Sequence, residues 1–332
     1  MTATAAAPPA RTSASSDSHR WSRFALRRAG RLLVSLWVLV TAAFLMVRLI
    51  PGDPVRAALG PNASPEVVEA RRAALGLDQP FLTQYWDYLS GVLTGDLGVS
   101  ITSQVPVVDT IAQRLPATLS LAVLAFAVAI LVAVPVGVLM AIATRRGRRP
   151  RTELGFTSTS IFVASIPDFL LGVALVWIFG VTLGLLPVAG RGGPESYVLP
   201  VIALALGPAA ILSRIVRVEM LLVLESDFVR TARAKRLRPW RVYLGHALPN
   251  AVTASLTIGG LILTSLVAGT VLVENVFAWP GLGSTIVQAI QMKDYAVVQG
   301  IVLVYGIGVL LVNTLIDAVL AVLDPRTTIA SA

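Results

Sequence analysis

The densest group of charged side chains in this sequence is a basic stretch, DFVRTARAKRLRPWRVYLGHALPN, at residues 227–250. It places six cations within twelve consecutive residues of a chain that is otherwise mostly apolar. Read as a helix, Asp227 to Arg238 distributes these cations around a solvated surface. Because Arg238 precedes Pro239, one short helix is expected to stop there and a second to begin.

The second short helix has an apolar stripe at helical spacing, formed by Trp240, Tyr243, Leu244, Ala247 and Leu248. Such an amphipathic pattern is typical of a helix that lies along a membrane or in a groove of another protein. Pro249 and Asn250 are expected to close it. The residues alone leave two interpretations open: a basic loop held on anionic lipid, and an element that docks on a protein partner.

The sequence offers little that could support catalysis or nucleotide binding. It contains no cysteine, which excludes disulfides, thiolate metal sites and a cysteine nucleophile. The histidines, His19 and His246, are too few and too far apart for a metal site. Lys235 and Lys293 both lie outside glycine-rich loops, so a P-loop is excluded. We therefore expect no enzyme activity and no bound cofactor, and we assign any ATP and Mg²⁺ to partner subunits.

Two acidic residues interrupt apolar segments: Asp168 in SIPDF and Asp317 in NTLIDAV. Ionisable residues inside membrane spans are costly and usually face a bundle interior or a watery cavity. We predict that Asp168, with Phe169 beside it, lines a translocation pathway where it could meet a cationic group; helix packing is the alternative. Asp317 is interpreted as a structural partner for Arg48 or for a hydroxyl.

The composition shows what must position these residues. Of the 332 residues, 55% are hydrophobic and only 14% are charged, which places the chain among integral membrane proteins. The formal charge of +9 does not indicate nucleic-acid binding, because the cations fall in short loops between apolar runs. An all-α membrane protein in contact with lipid is predicted.

Six apolar stretches are long enough to cross a membrane, and they lie at residues 21–50, 117–143, 155–182, 198–220, 250–273 and 297–322. The fourth is the least regular, because Pro200, Gly207 and Pro208 interrupt it. Six transmembrane helices therefore require both chain ends to lie on the same side.

The distribution of positive charge predicts which side that is. The N-terminal segment, the loops that contain residues 144–151 and 214–241, and the C-terminus together hold 20 of the 27 Lys and Arg residues, whereas the alternate loops hold 6. Since positive loops stay in the cytoplasm, both termini are predicted to be cytoplasmic.

The predicted divisions are a disordered tail at 1–20, a first transmembrane helix at 21–50, an extracytoplasmic subdomain at 51–116, a five-helix core at 117–323 with a cytoplasmic loop at 221–249, and a tail at 324–332.

The segment DFVRTARAKRL resembles the cytoplasmic EAA-type loop of ABC importer permeases, in the version found in the dipeptide, oligopeptide and nickel permease family. Further motifs similar to that family follow one another along the chain: PGDPV at 51–55, LGLDQP at 75–80, GDLGVS at 95–100, RLPAT at 114–118, ENVFAWPGLG at 274–283, DYAVVQG at 294–300 and DPR at 324–326. Arg236 stands where the family usually has glycine. Either the backbone there is not left-handed or some strain is retained.

This resemblance implies a type I ABC importer permease fold in the bacterial cytoplasmic membrane. It also implies four partners: a second permease subunit, two cytoplasmic ATPase subunits and an extracytoplasmic substrate-binding protein. The cargo would be a dipeptide or oligopeptide, or alternatively nickel or another small solute. Composition alone also leaves open a self-sufficient channel or secondary transporter. The ATPase-coupling residues would be Asp227, Phe228, Arg230, Thr231, Ala232, Arg233, Lys235, Arg236, Pro239, Trp240 and Tyr243.

The motif ENVFAWPGLG combines aromatic residues with a Pro-Gly turn, which fits a rigid loop at the membrane surface. By the same resemblance, this loop would gate entry from outside and contact the binding protein. An aromatic anchor at the membrane interface is the alternative. The residues concerned are Glu274, Phe277, Trp279, Pro280 and Gly281.

Overall fold

The computed structural model describes residues 15–49, 54–60, 63–74 and 76–323. Its α-helices in chain order are α1 (Ser15–Leu49), α2 (Pro54–Leu59), α3 (Pro65–Ala74), α4 (Phe81–Thr94), α5 (Val107–Thr144), α6 (Pro150–Ser165), α7 (Asp168–Leu175), α8 (Val198–Leu224), α9 (Asp227–Ala234), α10 (Leu248–Val276), α11 (Leu282–Gln291) and α12 (Tyr295–Leu323). Two π-helical segments, Val176–Thr182 and Arg241–Ala247, extend α7 and precede α10.

Four helical stretches are long and apolar enough to cross a membrane: Leu26–Met46, Val107–Gly147, Pro194–Leu224 and Tyr295–Val319. Two bent helix pairs bring the number to six if each pair forms one crossing. One pair is α6 with the helix that begins at Asp168, bent by 92°, and the other lies within α10, bent by 44°. The third and fifth predicted spans correspond to these two bent pairs.

The break between α6 and α7 has a local cause. Ile166 precedes Pro167, and a residue before proline is forced out of the helical region. Its backbone is extended, with φ −79° and ψ 123°. By contrast, α8 continues through Pro208 without a break, so the span that looked least regular in sequence is an unbroken helix.

The core lies where α5 and α8 pack along each other. Small residues on α5, including Ala125, Ala129 and Ala133, are fully buried against α8. Gly137 makes the closest approach, because a methyl group on its Cα would lie 2.7 Å from the carbonyl oxygen of Ser213. The remaining long helices pack around this pair.

Several predicted boundaries need correction. The first helix begins at Ser15, so residues 15–20 of the predicted tail are helical, while residues 1–14 and 324–332 lie outside the described part of the chain. The predicted limit of the outer subdomain at residue 116 falls inside α5. Pro116 is the tenth residue of α5, beyond the first turn, and it is tolerated because neighbouring elements supply packing.

The outer segment also packs on the first helix. The rings of Tyr85 and Tyr88 in α4 lie 5.3 and 5.5 Å from the ring of Phe44 in α1. Trp86 between them is exposed. Phe81 also packs on Phe44, with ring centroids 5.5 Å apart, so three of the four aromatic residues of α4 anchor the outer segment to α1.

Candidate functional site

The basic stretch forms a helix that ends earlier than predicted. Helix α9 stops at Ala234, and the next helical turn begins at Pro239. The helix ends because Arg236 is left-handed, with φ 56°. The amide of Arg236 donates to Arg233 O (2.9 Å), and that of Leu237 donates to Ala232 O (3.3 Å), which is the Schellman pattern.

Arginine therefore occupies the position where a Schellman turn favours glycine. The prediction that Arg236 is either not left-handed or strained is decided: its backbone is left-handed. A non-glycine residue there costs about 1–2 kcal/mol. Its side chain is exposed, so nothing in the described chain compensates for that cost.

One face of this region belongs to the core. Val229 and Ala232 are buried in a cluster with Met220 and Leu224 of α8 and Val242. Ala232 was predicted to contact a partner, and this is wrong, because it faces inward at helical spacing from Val229. Arg233 and Tyr243 are half-buried at the edge of the same cluster.

The opposite face is exposed, and we call it the coupling surface: Asp227, Phe228, Arg230, Thr231, Lys235, Arg236, Pro239, Trp240 and Leu244. Trp240 and Leu244 are 56% and 52% exposed, which is unusual for large apolar side chains on a loop that bears so many charges. The coupling surface thus combines apolar anchors with surrounding cations.

The predicted stripe from Trp240 to Leu248 is split between the two faces. Ala247 is fully buried, whereas Trp240 and Leu244 are exposed. Residues 241–247 are π-helical, and the i→i+5 bonding of a π-helix displaces side chains from the predicted spacing. Pro249 does not close the helix; it lies in the first turn of α10, where its missing N–H is tolerated.

A second loop supports the coupling surface. Arg145, directly after α5, lies near Tyr243 and Arg233. Below it, Arg217 of α8 pairs with Glu153 at 2.6 Å and donates to the Thr144 hydroxyl at 3.0 Å. These contacts hold the inner ends of α5, α6 and α8 together.

The acidic residues of the spans differ in their partners. Asp317 pairs with Arg28 of α1; the side chain of Arg48, one of its predicted partners, lies outside the described part of the chain. Glu274 is fully buried, and its carboxylate accepts hydrogen bonds from the Thr118 hydroxyl (2.7 Å) and the Ser284 amide (3.1 Å). Both are satisfied structural groups.

Asp168 is different. It is the first residue of α7, directly after the break, and is half-buried. Methyl groups on Gly207 of α8 and Gly269 of α10 would lie 3.4 Å from Oδ1 and 3.6 Å from Oδ2. Phe169, predicted to share the pathway, is the next residue in the helix and therefore points to a different face.

The aromatic side chains of the motif ENVFAWPGLG are buried inside the protein, whereas the place of this loop at the membrane surface stays a prediction. Trp279 and Phe277 are 0% and 1% exposed. The Trp279 indole donates from Nε1 to Ala117 O at 3.1 Å, and the Tyr197 ring packs edge-on against it at 4.6 Å. This burial also rules out an interfacial anchor.

Gly281 has a definite role in the same motif. A methyl group on its Cα would lie 2.5 Å from Cδ of Glu274, so only glycine leaves room for that carboxylate. Pro280 precedes it and is half-buried. The motif is therefore a rigid turn built around a buried acid.

One cluster was missed from the sequence. Asp294 is buried just before α12, where its carboxylate accepts hydrogen bonds from the hydroxyls of Ser100 and Thr102 and from the amides of Ile101 and Thr102. Ser100 and Asp294 each belong to a motif quoted above, GDLGVS and DYAVVQG, which was the available signal. The contact joins the outer segment to α12.

Comparison with known proteins decides the family. Residues 133–329 match the binding-protein-dependent transport system inner membrane component, and residues 21–122 match the N-terminal region described for such membrane components. The chain belongs to this family. The permease is thus a membrane component of an ABC transport system, in which an ATPase and a substrate-binding protein are other parts.

Two relatives show how close the likeness is. A putative peptide transport system permease protein of Brucella suis biovar 1 is 39% identical over 309 residues, covering 91% of this chain and 97% of that protein. The glutathione transport system permease protein GsiC of Escherichia coli K12 is 37% identical over 303 residues, with the same coverage of 91% and 97%.

A solved structure shows the same fold. A chain of the MetNI methionine ABC transporter, from a study of inward-facing conformations, superposes with a TM-score of 0.55 and 22% identity. The match covers 64% of the permease and 95% of that chain. The permease has an all-α type I importer fold.

Proposed function

We propose that the permease is one of two membrane subunits of an ATP-driven importer of peptides in the bacterial cytoplasmic membrane. The names of its relatives, a peptide permease and a glutathione permease, support the cargo class. Peptides and glutathione share amide bonds, carboxylates and a free amino group. The partners would be a second permease, two ATPase subunits and an external binding protein.

The coupling surface is the observation that supports this proposal most directly. Exposed Trp240, Leu244 and Phe228 would fill an apolar groove of an ATPase subunit, as large apolar anchors do at protein interfaces. The surrounding cations, led by Arg230 and Lys235, would orient the docking through rim electrostatics. A lipid-binding surface would also use the cations, but it would have less need of a fixed turn between two short helices.

Movement of the ATPases would reach the spans through the packing beneath this surface. ATP and Mg²⁺ would bind in the partner subunits, whose closure would displace α9. Val229 and Ala232 are packed on Met220 and Leu224 of α8, so that displacement would move the inner end of α8. The cavity would then switch between inward and outward access.

The outer motif would act by shape. Because Phe277 and Trp279 are buried, they would not touch the binding protein themselves. They would hold the turn at Pro280 and Gly281 rigid around Glu274, so that this part of the outer gate opens as a unit.

The first experiment is to purify the permease from its own membranes and identify by mass spectrometry what stays bound. Recovery of a second permease and of P-loop ATPases, with vanadate-sensitive ATP hydrolysis, is the expected result. An intact preparation that contains one type of chain and no ATPase would overturn the proposal.

The coupling surface can be tested in the reconstituted transporter. We expect Trp240→Ala to lower binding-protein-stimulated ATP hydrolysis at least tenfold. Truncating a central aromatic anchor commonly costs about 2 kcal/mol or more of binding free energy, and about 1.4 kcal/mol corresponds to a tenfold change. Leu154→Ala is the matched control, because Leu154 is an exposed apolar residue near the same ends of the helices but outside this surface. Equal activity of both variants would contradict docking at Trp240.

A further inference from the structure

Asp168, Glu274 and Asp317 lie in apolar helices, and of these three Asp168 alone has a carboxylate without a hydrogen-bond or ion-pair partner in the described part of the chain. Glu219, which also has none, lies near the inner end of α8. Glu274 has Thr118 and Ser284, and Asp317 has Arg28. A carboxylate that is unpaired at membrane depth is costly and is retained where it meets water or a cation. The fold thus leaves the Asp168 carboxylate available for a ligand.

Two bent helices and one unbroken helix that contains a proline meet at this carboxylate. The α6–α7 break at Ile166 and Pro167 lies directly before it. Gly207, which faces Oδ1, is followed by Pro208 in α8. Gly269, which faces Oδ2, begins the second arm of the 44° bend in α10. Interrupted helices at membrane depth mark binding sites in transporters, because irregular backbone is tolerated where it lines a cavity.

Two of the residues beside the carboxylate, Gly207 and Gly269, are glycines. They bring no side-chain donor that could neutralise the carboxylate, so both oxygens stay free to accept a hydrogen bond from a ligand. We propose that the Asp168 carboxylate, held between Gly207 and Gly269 at the α6–α7 break, binds the protonated amino group of the peptide during translocation. This inference rests on the proposed function.

A single carboxylate suits a transported cargo. One charge-assisted hydrogen bond is worth about 1.5–3 kcal/mol, which is enough to favour entry of an ammonium group but too little to trap it. A tight site would instead surround the ammonium group with several acceptors. The pocket therefore selects for charge while permitting release.

The first test uses the absence of cysteine from the permease. In the reconstituted complex, Asp168→Cys should react with a trimethylammonium methanethiosulfonate, seen as a mass shift of this chain, at a rate that changes severalfold when ATP and vanadate are added. Ala129→Cys, which replaces a fully buried core residue, is the control and should stay unmodified. Equal labelling of both variants would overturn the proposal, because Asp168 would then not line an accessible cavity.

The second test measures uptake of labelled dialanine and a panel of other dipeptides into proteoliposomes. Asp168→Asn should lower uptake at least tenfold while stimulated ATP hydrolysis stays within twofold. Asp168→Glu should restore much of the uptake, and Asp87→Asn, at an exposed outer acid, should have no effect. A purely structural Asp168 would lower assembly and ATP hydrolysis together with uptake.

The outcomes separate this inference from the proposed function. If the wild-type complex imports dipeptides and the Asp168→Asn variant imports them equally well, the inference is overturned and the proposed function is not. A wild-type complex that imports none of the dipeptides would overturn peptide import and this inference with it, while the labelling result would still show whether Asp168 lines a cavity.

Discussion

Replacing Trp279 with alanine should lower the free energy of unfolding of the permease far more than a substitution at the surface does. The indole is fully buried, packs on Tyr197 and donates to the carbonyl of Ala117 in α5. Removing a buried tryptophan costs about 3–5 kcal/mol through lost contacts and the cavity left behind. The orphaned carbonyl adds about 1–3 kcal/mol. We therefore expect Trp279→Ala to lose about 4–8 kcal/mol, which is comparable to the whole stability of many proteins.

The assay is reversible unfolding of the purified permease in mixed micelles by increasing SDS. Trp177→Ala is the matched control, because Trp177 is 64% exposed and its truncation should change the unfolding free energy by less than about 1 kcal/mol. Trp279→Phe keeps most of the ring volume but removes the indole N–H, so it should cost about 1–3 kcal/mol.

The order of the three variants is the decisive result. A Trp279→Ala variant within 1 kcal/mol of Trp177→Ala would refute the interior placement of the outer motif. It would also restore the interpretation that Trp279 lies at the membrane surface and touches the binding protein, where its loss would lower stimulated ATP hydrolysis without affecting folding.

Two further predictions concern turns. Arg236→Gly should raise the unfolding free energy by about 1 kcal/mol in the same SDS assay and keep stimulated ATP hydrolysis, since glycine relieves the left-handed backbone; loss of stimulation would reveal a specific contact of the arginine. Asp294→Asn should release the segment around Ser100 and Thr102, measured as faster limited proteolysis between residues 95 and 106, because a charged acceptor of four hydrogen bonds is lost; unchanged proteolysis would show that the cluster does not hold this segment.

Hydropathy placed the spans, but it could not tell which proline breaks a helix. Pro167 and Pro208 look alike in sequence, yet only Pro167 follows an extended residue at a 92° bend. Pro208 lies in a helix whose residues are largely buried against α5 and α10, and such packing satisfies the backbone groups that proline frees. The difference depends on neighbours that are distant in sequence.

The candidate site shows the same limit. The sequence predicted a basic surface with exposed apolar residues at 227–250. It could not predict that Ala232 is buried, because that depends on packing near Met220 of α8. The π-helical segment that divides the Trp240 stripe between two faces also cannot be predicted from a period of 3.6 residues. Trp279 was misplaced because its hydrogen-bond partner, Ala117, is 162 residues away in the chain.

The coupling surface and Asp168 are connected by α8. Gly207 faces the Asp168 carboxylate, Leu224 lies beneath α9, and the helix between them is unbroken. At 1.5 Å per residue these positions lie about 25 Å apart along the helix axis. Both α6–α7 and α10 are bent beside Asp168, whereas α8 is not. We infer that a displacement of α9 moves Gly207 as part of an unbroken helix while Gly269 stays with the bent helix α10, so that the surroundings of Asp168 change with each ATPase cycle.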